Sequence, residues 1–304
     1  MVNTMELRDI EYFAVVAEHG NVRRASETLE LSPPALSKSL RRLEKALQAK
    51  LVTRTPKGVE LTPVGAALFA QVRRIRLTLD DVQREAADLS QGRAGHLRIG
   101  ASPLHAEELP AAYAILLKEA PTASVTITVS DNDVMVPALR NGDLDLIVNW
   151  LADTPYDGCV KERLYDDEIV VCAAAGHTLA RQKVVTMAQI AKASWAISTV
   201  QMLPWHWWSR AFQDRGLSPP RVVVETRSLP LRIQSVASSN LLGFLTRRAL
   251  RQAAPRFRLK EIPIKDVRWQ RSVGVIYREG GYLSPAAKRF IEILKVTTRN
   301  FSTR

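Results

Sequence analysis

Residues 62–92, TPVGAALFAQVRRIRLTLDDVQREAADLSQG, decide how the chain is organised. Thr62 is an N-cap residue and Pro63 suits a first helical turn, while Gly92 is a natural C-terminal stop. Between them Leu68, Val72, Ile75, Leu79, Val82, Ala86 and Leu89 recur in steps of four and three. That spacing is the seam of a helix that packs along a second helix. At about 1.5 Å per residue the helix is roughly 40 Å long, more than one compact domain usually holds. Two readings are open: a dimerising linker with those seven residues at its seam, or a long amphipathic helix folded back on its own chain. The sequence on either side favours the linker, because it reads as two separate domains.

The bulk properties agree. A chain of 304 residues and 33.9 kDa is long enough for roughly two domains. Its 46% apolar and 24% charged residues place it among globular rather than disordered chains. A net charge of +12 and a pI near 10 point to an acidic partner, whether nucleic acid, anionic membrane or anionic ligand, without choosing among them. Cys159 and Cys172 form no CxxC pair and have no histidine nearby, which argues against a zinc site. The N-terminal MVNTMELRDIEYF carries charges where a signal peptide needs an apolar core. No apolar run approaches the ~18 residues of a membrane span. The expectation is a cytoplasmic chain with no membrane partner.

Upstream of the linker, Leu7, Ile10, Phe13, Ala14 and Ala17 outline the apolar face of a first helix that stops at Gly20. Asn21 caps a second helix running to about Leu29. After the turn Glu30-Leu31-Ser32, Ser32 caps a third with Pro33 at its first position. Leu36, Leu40, Leu43 and Leu47 give that third helix one continuous core face. Two short helices joined by a tight turn, the second capped and basic, describe a helix-turn-helix. The strands LVTRT and VELT flank the turn Pro56-Lys57-Gly58 and read as a wing. Residues 21–76 hold 12 Lys or Arg against 4 Asp or Glu. On charge alone a solvated basic face explains that excess; the order of helix, turn, capped helix and hairpin favours double-stranded DNA. The expected contacts are Arg23, Arg24, Ser32, Pro33, Pro34, Ala35, Ser37, Lys38, Arg41, Arg42, Arg54 and Lys57. The long cations would meet phosphates, and the start of the third helix would meet base edges.

These residues carry a resemblance. ELRDIEYFAVVAEHGNVRRASETLELSPPALSKSLRRLEKAL followed by RTPKGVELTPVG resembles the N-terminal module of LysR-type transcriptional regulators. Pro-Ala-Leu-Ser at 34–37, Arg-Leu-Glu at 42–44, Arg54-Thr55, Gly58 and Leu61-Thr62 all fall in register. One departure bears on base readout. The family usually has Gln just before this Pro-Ala-Leu-Ser, able to reach an adenine edge; Pro33 stands there and has no side-chain donor or acceptor. Val22 and Arg23 likewise replace a more usual aromatic and hydroxyl pair.

Downstream of residue 92 the pattern changes to alternating strands and helices, which implies sheets covered by helices. Two such units with a late return through RSVGVIYR resemble the effector domain of the same regulators, similar in fold to periplasmic solute-binding proteins. Residues 97–304 hold 28 Lys or Arg against 19 Asp or Glu, which suits an anionic effector and equally a solvated surface. The resemblance places a small-molecule effector in the cleft between lobes, outside the strand ends. By position that cleft is met by Ser102, Pro103, Leu104, Asn132, Asn149 and Trp150. From the second lobe it is met by Thr199, Gln201, Met202, Leu203, Pro204, Arg227 and Ser228. Bland roles stand beside these: Ser102 as a helix cap, Trp150 as core, Arg227 in an ion pair. Trp205, His206, Trp207 and Trp208 read as helix packing or a subunit contact. Further departures from the family lie at Ser238–Gly243, where a glycine-rich turn is more usual, and at Thr246-Arg247.

A catalytic reading has little to stand on. His19, His96, His105, His177 and His206 are scattered, and the sequence has no GxSxG elbow, Walker loop or dinucleotide glycine fingerprint. No catalytic residue, metal ligand or cofactor is nominated. The expected architecture is α/β and multidomain: a winged helix-turn-helix at 1–61, a linker helix at 62–92, and a two-lobed α/β unit at 93–304 whose chain returns to its first lobe near 271. The resemblance further implies a dimer, a tetramer built from two dimers, and RNA polymerase as a partner.

Overall fold

The computed structural model describes residues 6–56, 58–91, 95–152, 156–198, 203–265 and 267–301, with the backbone alone for residues 91, 203–207 and 300. It divides into two units, one ending at Ala87 and one beginning at Asp88. No helix among the described residues is long and apolar enough to cross a membrane.

In the first unit α1 (Leu7–His19) ends at Gly20, whose left-handed backbone closes the helix on Val16 O. α2 (Val22–Thr28) is capped by the Asn21 side chain, which accepts from the Arg23 and Arg24 backbone N–H groups. α3 (Pro33–Leu47) is capped by Ser32 Oγ on the Ala35 N–H. β1 (Val52–Thr55) and β2 (Gly58–Leu61) form an antiparallel hairpin. Phe13, Val16, Ala25, Leu36, Leu40, Leu43 and Leu51 make one core, at about 1.5–3 kcal/mol for each large side chain buried. The ends of the predicted faces depart: Leu7 and Leu47 are exposed, since each sits on a terminal turn beyond the reach of the core.

Two close backbone approaches fix the wing and the next helix. A Cβ on Gly58 would lie 2.3 Å from Gly20 O, and its neighbour Val59 donates to that same carbonyl at 2.7 Å. Glycine is therefore required where the wing touches the end of α1. α4 runs from Pro63 to Gln91 as one helix. Thr62 Oγ1 accepts from the Gly65 N–H at 3.0 Å and donates to Lys50 O at 2.6 Å. A Cβ on Gly65 would come within 1.9 Å of Leu51 O. The sequence TPVG thus starts α4 and lays its first turn against the segment leading into β1.

The second unit begins with β3 (His96–Ala101), α5 (Leu109–Glu119), β4 (Ser124–Val129), α6 (Asn132–Arg140) and β5 (Leu146–Trp150). β3 pairs in parallel with both β4 and β5, as strands joined by crossover helices do. β6 (Cys159–Ala174) then runs for 16 residues. Next come α7 (Met187–Ala191), β7 (Ser194–Ile197), α8 (Leu203–Gln213), β8 (Arg221–Glu225), α9 (Leu229–Ala237), β9 (Gly243–Thr246), α10 (Arg247–Phe257) and β10 (Leu259–Glu261). β11 (Trp269–Arg278) and α11 (Pro285–Thr297) complete the unit.

β11 inserts antiparallel between β5 and β6. β6 joins the two lobes: residues 159–169 pair with β11, and residues 169–174 pair with β9 and β10. One core lies on the β3–β5–β11 side with α5 and α11. Two others surround the far end of β6 with α7 to α10. The first half of β6, CVKERLYD, carries charges at half-buried positions and shows no apolar run. Pro255 falls in the last turn of α10, whose sequence is RRALRQAAPRF. Trp208 is core, packing edge-on against Trp195 and Trp269 at 5.1 and 4.1 Å between ring centroids.

Candidate functional sites: a basic helix face and an inter-lobe cavity

Leu36, Leu40 and Leu43 of α3 face inward and leave the opposite side open. Ser32, Pro33, Pro34, Ala35, Lys38 and Arg41 are exposed there, and Ser37 is half-buried. Lys38 and Arg41, with Arg24 on α2 and Arg54 on β1, have no ion-pair partner among the described residues, whereas Arg23 pairs with Glu27 at 3.4 Å. Pro33 and Pro34 have no N–H, and the Ala35 N–H is taken by Ser32. The first turn of α3 therefore offers an apolar edge and no free backbone donor. Lys57 lies outside the described residues.

Arg42, exposed like Arg41, is also tied into its own domain. Its Nε donates to Asp9 Oδ2 at 2.6 Å, its Nη2 to Asp9 Oδ1, and the same nitrogen lies 3.4 Å from Glu6 Oε2. Ser39 Oγ adds a bond to Asp9 Oδ1 at 2.5 Å. Asp9 is 1% exposed. Burial alone would push its pKa up, but the bonds from Arg42 and Ser39 and the Arg42 charge outweigh burial and hold the carboxyl below its ordinary value of 3.8. Arg42 is thus the clasp between α1 and α3. Glu44 plays a matching part at the other end of α3, accepting from the Leu51 N–H at 3.0 Å and Lys50 Nζ at 2.7 Å.

The predicted seam of α4 divides in two. Val72 is buried, and Leu68 is half-buried and, with Phe69, packs against the first unit's own core. Arg76 extends that attachment by bonding Glu18 Oε1 and Glu11 O at 3.0 and 3.1 Å. Ile75, Leu79, Val82, Ala86 and Leu89 are exposed, Leu79 at 58%.

In the second unit a cavity with about 690 Å³ of empty space, partly open to solvent, lies at the strand ends between the lobes. Ser102, Pro103, Leu104, Asn132, Asn149, Trp150 and Arg227 line it, seven of the thirteen positions expected there. The first lobe supplies Ser102 to Leu104 just past β3, Asn149 and Trp150 at the end of β5, and Asn132 opening α6. The two asparagines are spent on each other: Asn149 Nδ2 donates to Asn132 Oδ1 at 2.6 Å, and Asn149 Oδ1 accepts from the Trp150 N–H at 2.8 Å. Asn132 Nδ2 donates to Tyr156 OH at 3.4 Å, which leaves the phenol its own proton to donate. Burial pushes the Tyr156 pKa up, so that proton stays in place at neutral pH.

Thr199, Gln201 and Met202 lie outside the described residues. Leu203 and Pro204 form the first turn of α8 and are not part of the described lining. Ser228 is not part of it either; its Oγ caps α9 through the Leu231 N–H at 3.4 Å. Arg227 is held by Asp133 at 2.8 Å and lies 3.7 Å from Asp131, so much of its charge is already met. The lining also contains Asp131, Ala152, Tyr156, Ser198, Arg232 and Phe244, none of which the strand-end rule nominated. Arg232 is the informative omission. It sits in the middle of α9, in LPLRIQS, and an arginine at an inward helical position was the available signal.

Arg232 is 4% exposed, and no described residue hydrogen-bonds its side chain. Its guanidinium stands 5.7 Å from the Phe244 ring centroid. Burial lowers its pKa to about 10, which leaves it charged at neutral pH. The adjacent Cys172 thiol is pushed up by burial to about 12 and stays neutral, so it supplies no counter-charge. Ser102 Oγ and Trp150 Nε1 are buried and likewise have no partner among the described residues.

Comparison with known proteins agrees with this architecture. The family model described as LysR substrate binding domain matches residues 90–298, and that described as bacterial regulatory helix-turn-helix protein, lysR family, matches residues 7–66. The chain is 26% identical over 297 residues to the HTH-type transcriptional regulator GbpR of Azospirillum brasilense, covering 97% of this chain and 87% of that one. Its fold is similar to that of full-length CbnR solved with its target DNA, at a TM-score of 0.61 and 19% identity, over 96% of this chain and 100% of that one. The second unit is similar in fold to the regulatory domain of Synechocystis CcmR solved in complex with 2-PG. There the TM-score is 0.61 at 18% identity, over 67% of this chain and 98% of that one.

Proposed function

The chain belongs to the LysR family of DNA-binding transcriptional regulators, and from that premise we propose that it binds an interrupted palindrome as a paired molecule and answers to a small anionic effector held between its lobes. The carrying observation is that Lys38 and Arg41 stand exposed and unpaired on the side of α3 opposite its buried leucines. Phosphates would meet Lys38, Arg41, Arg24 and Arg54, giving affinity that falls with salt. Base selection would fall to the apolar edge of Pro33, Pro34 and Ala35 and to Ser37. With no amide at Pro33, contact with thymine methyls is the readout this edge supports best.

Pairing of two chains would run along Ile75, Leu79, Val82, Ala86 and Leu89. Two linked readers place two recognition helices on successive major grooves, hence an interrupted palindrome. Effector binding would change the angle between lobes and with it the spacing of the readers. We place the molecule in the cytoplasm as a dimer of dimers, with RNA polymerase as its further partner. The fold-level likeness to CcmR, solved with 2-PG, supports a small-molecule site in the second unit.

Replacing Arg41 with Ala tests the reader. The slope of log affinity against log salt should flatten by about one unit for every DNA sequence. An unchanged slope would remove Arg41 from the interface.

A further inference from the structure

The inter-lobe cavity carries enough chemistry to name the class of effector. Three charged side chains line it, namely Asp131, Arg227 and Arg232. Arg227 is engaged by Asp133 and Asp131. Arg232 has no acidic partner within bonding distance among the described residues and is 4% exposed. Asp131 and Asp133 equal the two arginines in number, and Asp131 acts on Arg232 through its charge, but no group among the described residues hydrogen-bonds the buried Arg232 guanidinium. Buried donors without an acceptor are costly, and an acceptor brought by a ligand would offset that cost.

From the opposite lobe two buried groups with unused hydrogen-bonding capacity join the same lining: Ser102 Oγ and Trp150 Nε1, the latter a donor only. The rest is mostly carbon, contributed by Leu104, Trp150, Ala152, Tyr156 and Phe244. We infer that the effector is a small organic monoanion with an apolar body, its single charged head paired with Arg232 and bonded by Ser102 or Trp150. This deepens the reading of the cavity as the effector site and rests on it.

The unsatisfied donors separate the neighbouring classes. A dianion would bring its second charge against Asp131, while Arg227 is already engaged by Asp133. A neutral ligand would offer the guanidinium a weaker acceptor than a carboxylate does. A small inorganic anion would satisfy the guanidinium but leave the apolar walls in water. Arg232 and Phe244 come from the second lobe and Ser102 and Trp150 from the first, so an ordered monoanion of this kind ties the lobes together across the cavity.

The test uses the full-length protein and matched probes at millimolar concentration: the monocarboxylates benzoate, phenylacetate and hexanoate, their primary amides, and the dicarboxylates phthalate and adipate. At least one monocarboxylate should raise the unfolding temperature of the second unit by a few degrees, with its amide and the dicarboxylates giving no comparable shift. Arg232→Met should abolish that shift. In the absence of ligand it should also raise the unfolding temperature, because it removes a buried guanidinium that no described residue hydrogen-bonds and nearly preserves volume. Arg232→Lys and Ser102→Ala should each weaken the same probe about tenfold.

Equal or stronger stabilisation by an amide or a dicarboxylate would overturn the assignment. So would no stabilisation by any of the three monocarboxylates, a shift that survives Arg232→Met, or a ligand-free Arg232→Met protein that unfolds earlier than wild type. Specific DNA binding, measured on the same preparation, separates the two levels. Wrong-class stabilisation with DNA binding intact defeats the monoanion alone, whereas loss of sequence-specific binding in the unmodified protein defeats the regulator reading.

Discussion

At the scale of single residues, the two arginines of the RRLEKAL run in α3 do different work although they are adjacent. Arg41 is exposed and has no ion-pair partner among the described residues; Arg42 is exposed too but bonds the buried Asp9. Nothing in that run distinguishes them, because the acceptor lies more than thirty residues earlier. Helical phase gives the direction of each side chain, and only the tertiary fold reveals that a buried carboxylate waits at one of them. The consequence can be measured. Asp9→Asn should destabilise the first unit by about 1–3 kcal/mol at neutral pH. Because the folded carboxyl titrates below 3.8, its contribution is complete above that value and disappears as pH falls through the lower, folded pKa. The urea midpoints of wild type and variant should therefore converge on acidification toward pH 3 and stay apart at neutral pH. A gap that stays constant with pH would mean that the Asp9–Arg42 clasp contributes nothing electrostatic. The same limitation hid Arg232: its burial depends on where α9 packs, whereas Ser102, Asn149 and Trp150 were legible because strand ends lie where a cleft in an α/β unit must lie.

At the scale of elements, local rules carried most of the first unit. Asn21, Ser32 and Thr62 each cap the helix they precede, and the glycines at 58 and 65 occupy places where a Cβ would strike backbone. The heptad-like seam of α4 was legible as a period but not as an assignment, since a single apolar stripe serves two surfaces in turn. Leu68 packs on the core of its own domain and Val72 is buried, whereas the stripe from Ile75 to Leu89 has no cover within the described chain. That division sharpens a test of the proposed pairing. Leu79→Asp places a charge in the middle of the exposed stretch, far from the domain core, and should dissociate the pair without unfolding the first unit. Light scattering should show the mass fall by half or more, and an unaltered mass would mean that this stripe is not the pairing surface. In the second unit the long β6 escaped local rules because its first half is polar and becomes a strand only by pairing with β11, more than a hundred residues later.

At the scale of the whole molecule, one chain joins a basic reader helix to a cavity whose buried guanidinium has no hydrogen-bond partner among the described residues. The excess of positive charge in the sequence thus resolves into two chemically distinct uses. Exposed cations on α2, α3 and β1 suit a polyanion met in water, where salt competes; Arg232 suits one small anion met out of water, where salt competes poorly. Both lobes share β6, so a ligand spanning the cavity acts on elements already joined by one continuous strand. The central claim is sequence-specific DNA recognition, and the most direct measurement is binding of the purified full-length protein to a library of genomic fragments over a salt series. A short interrupted palindrome should be recovered, with affinity falling steeply as salt rises. Recovery of no common sequence, with weak binding spread evenly over all fragments, would contradict that claim.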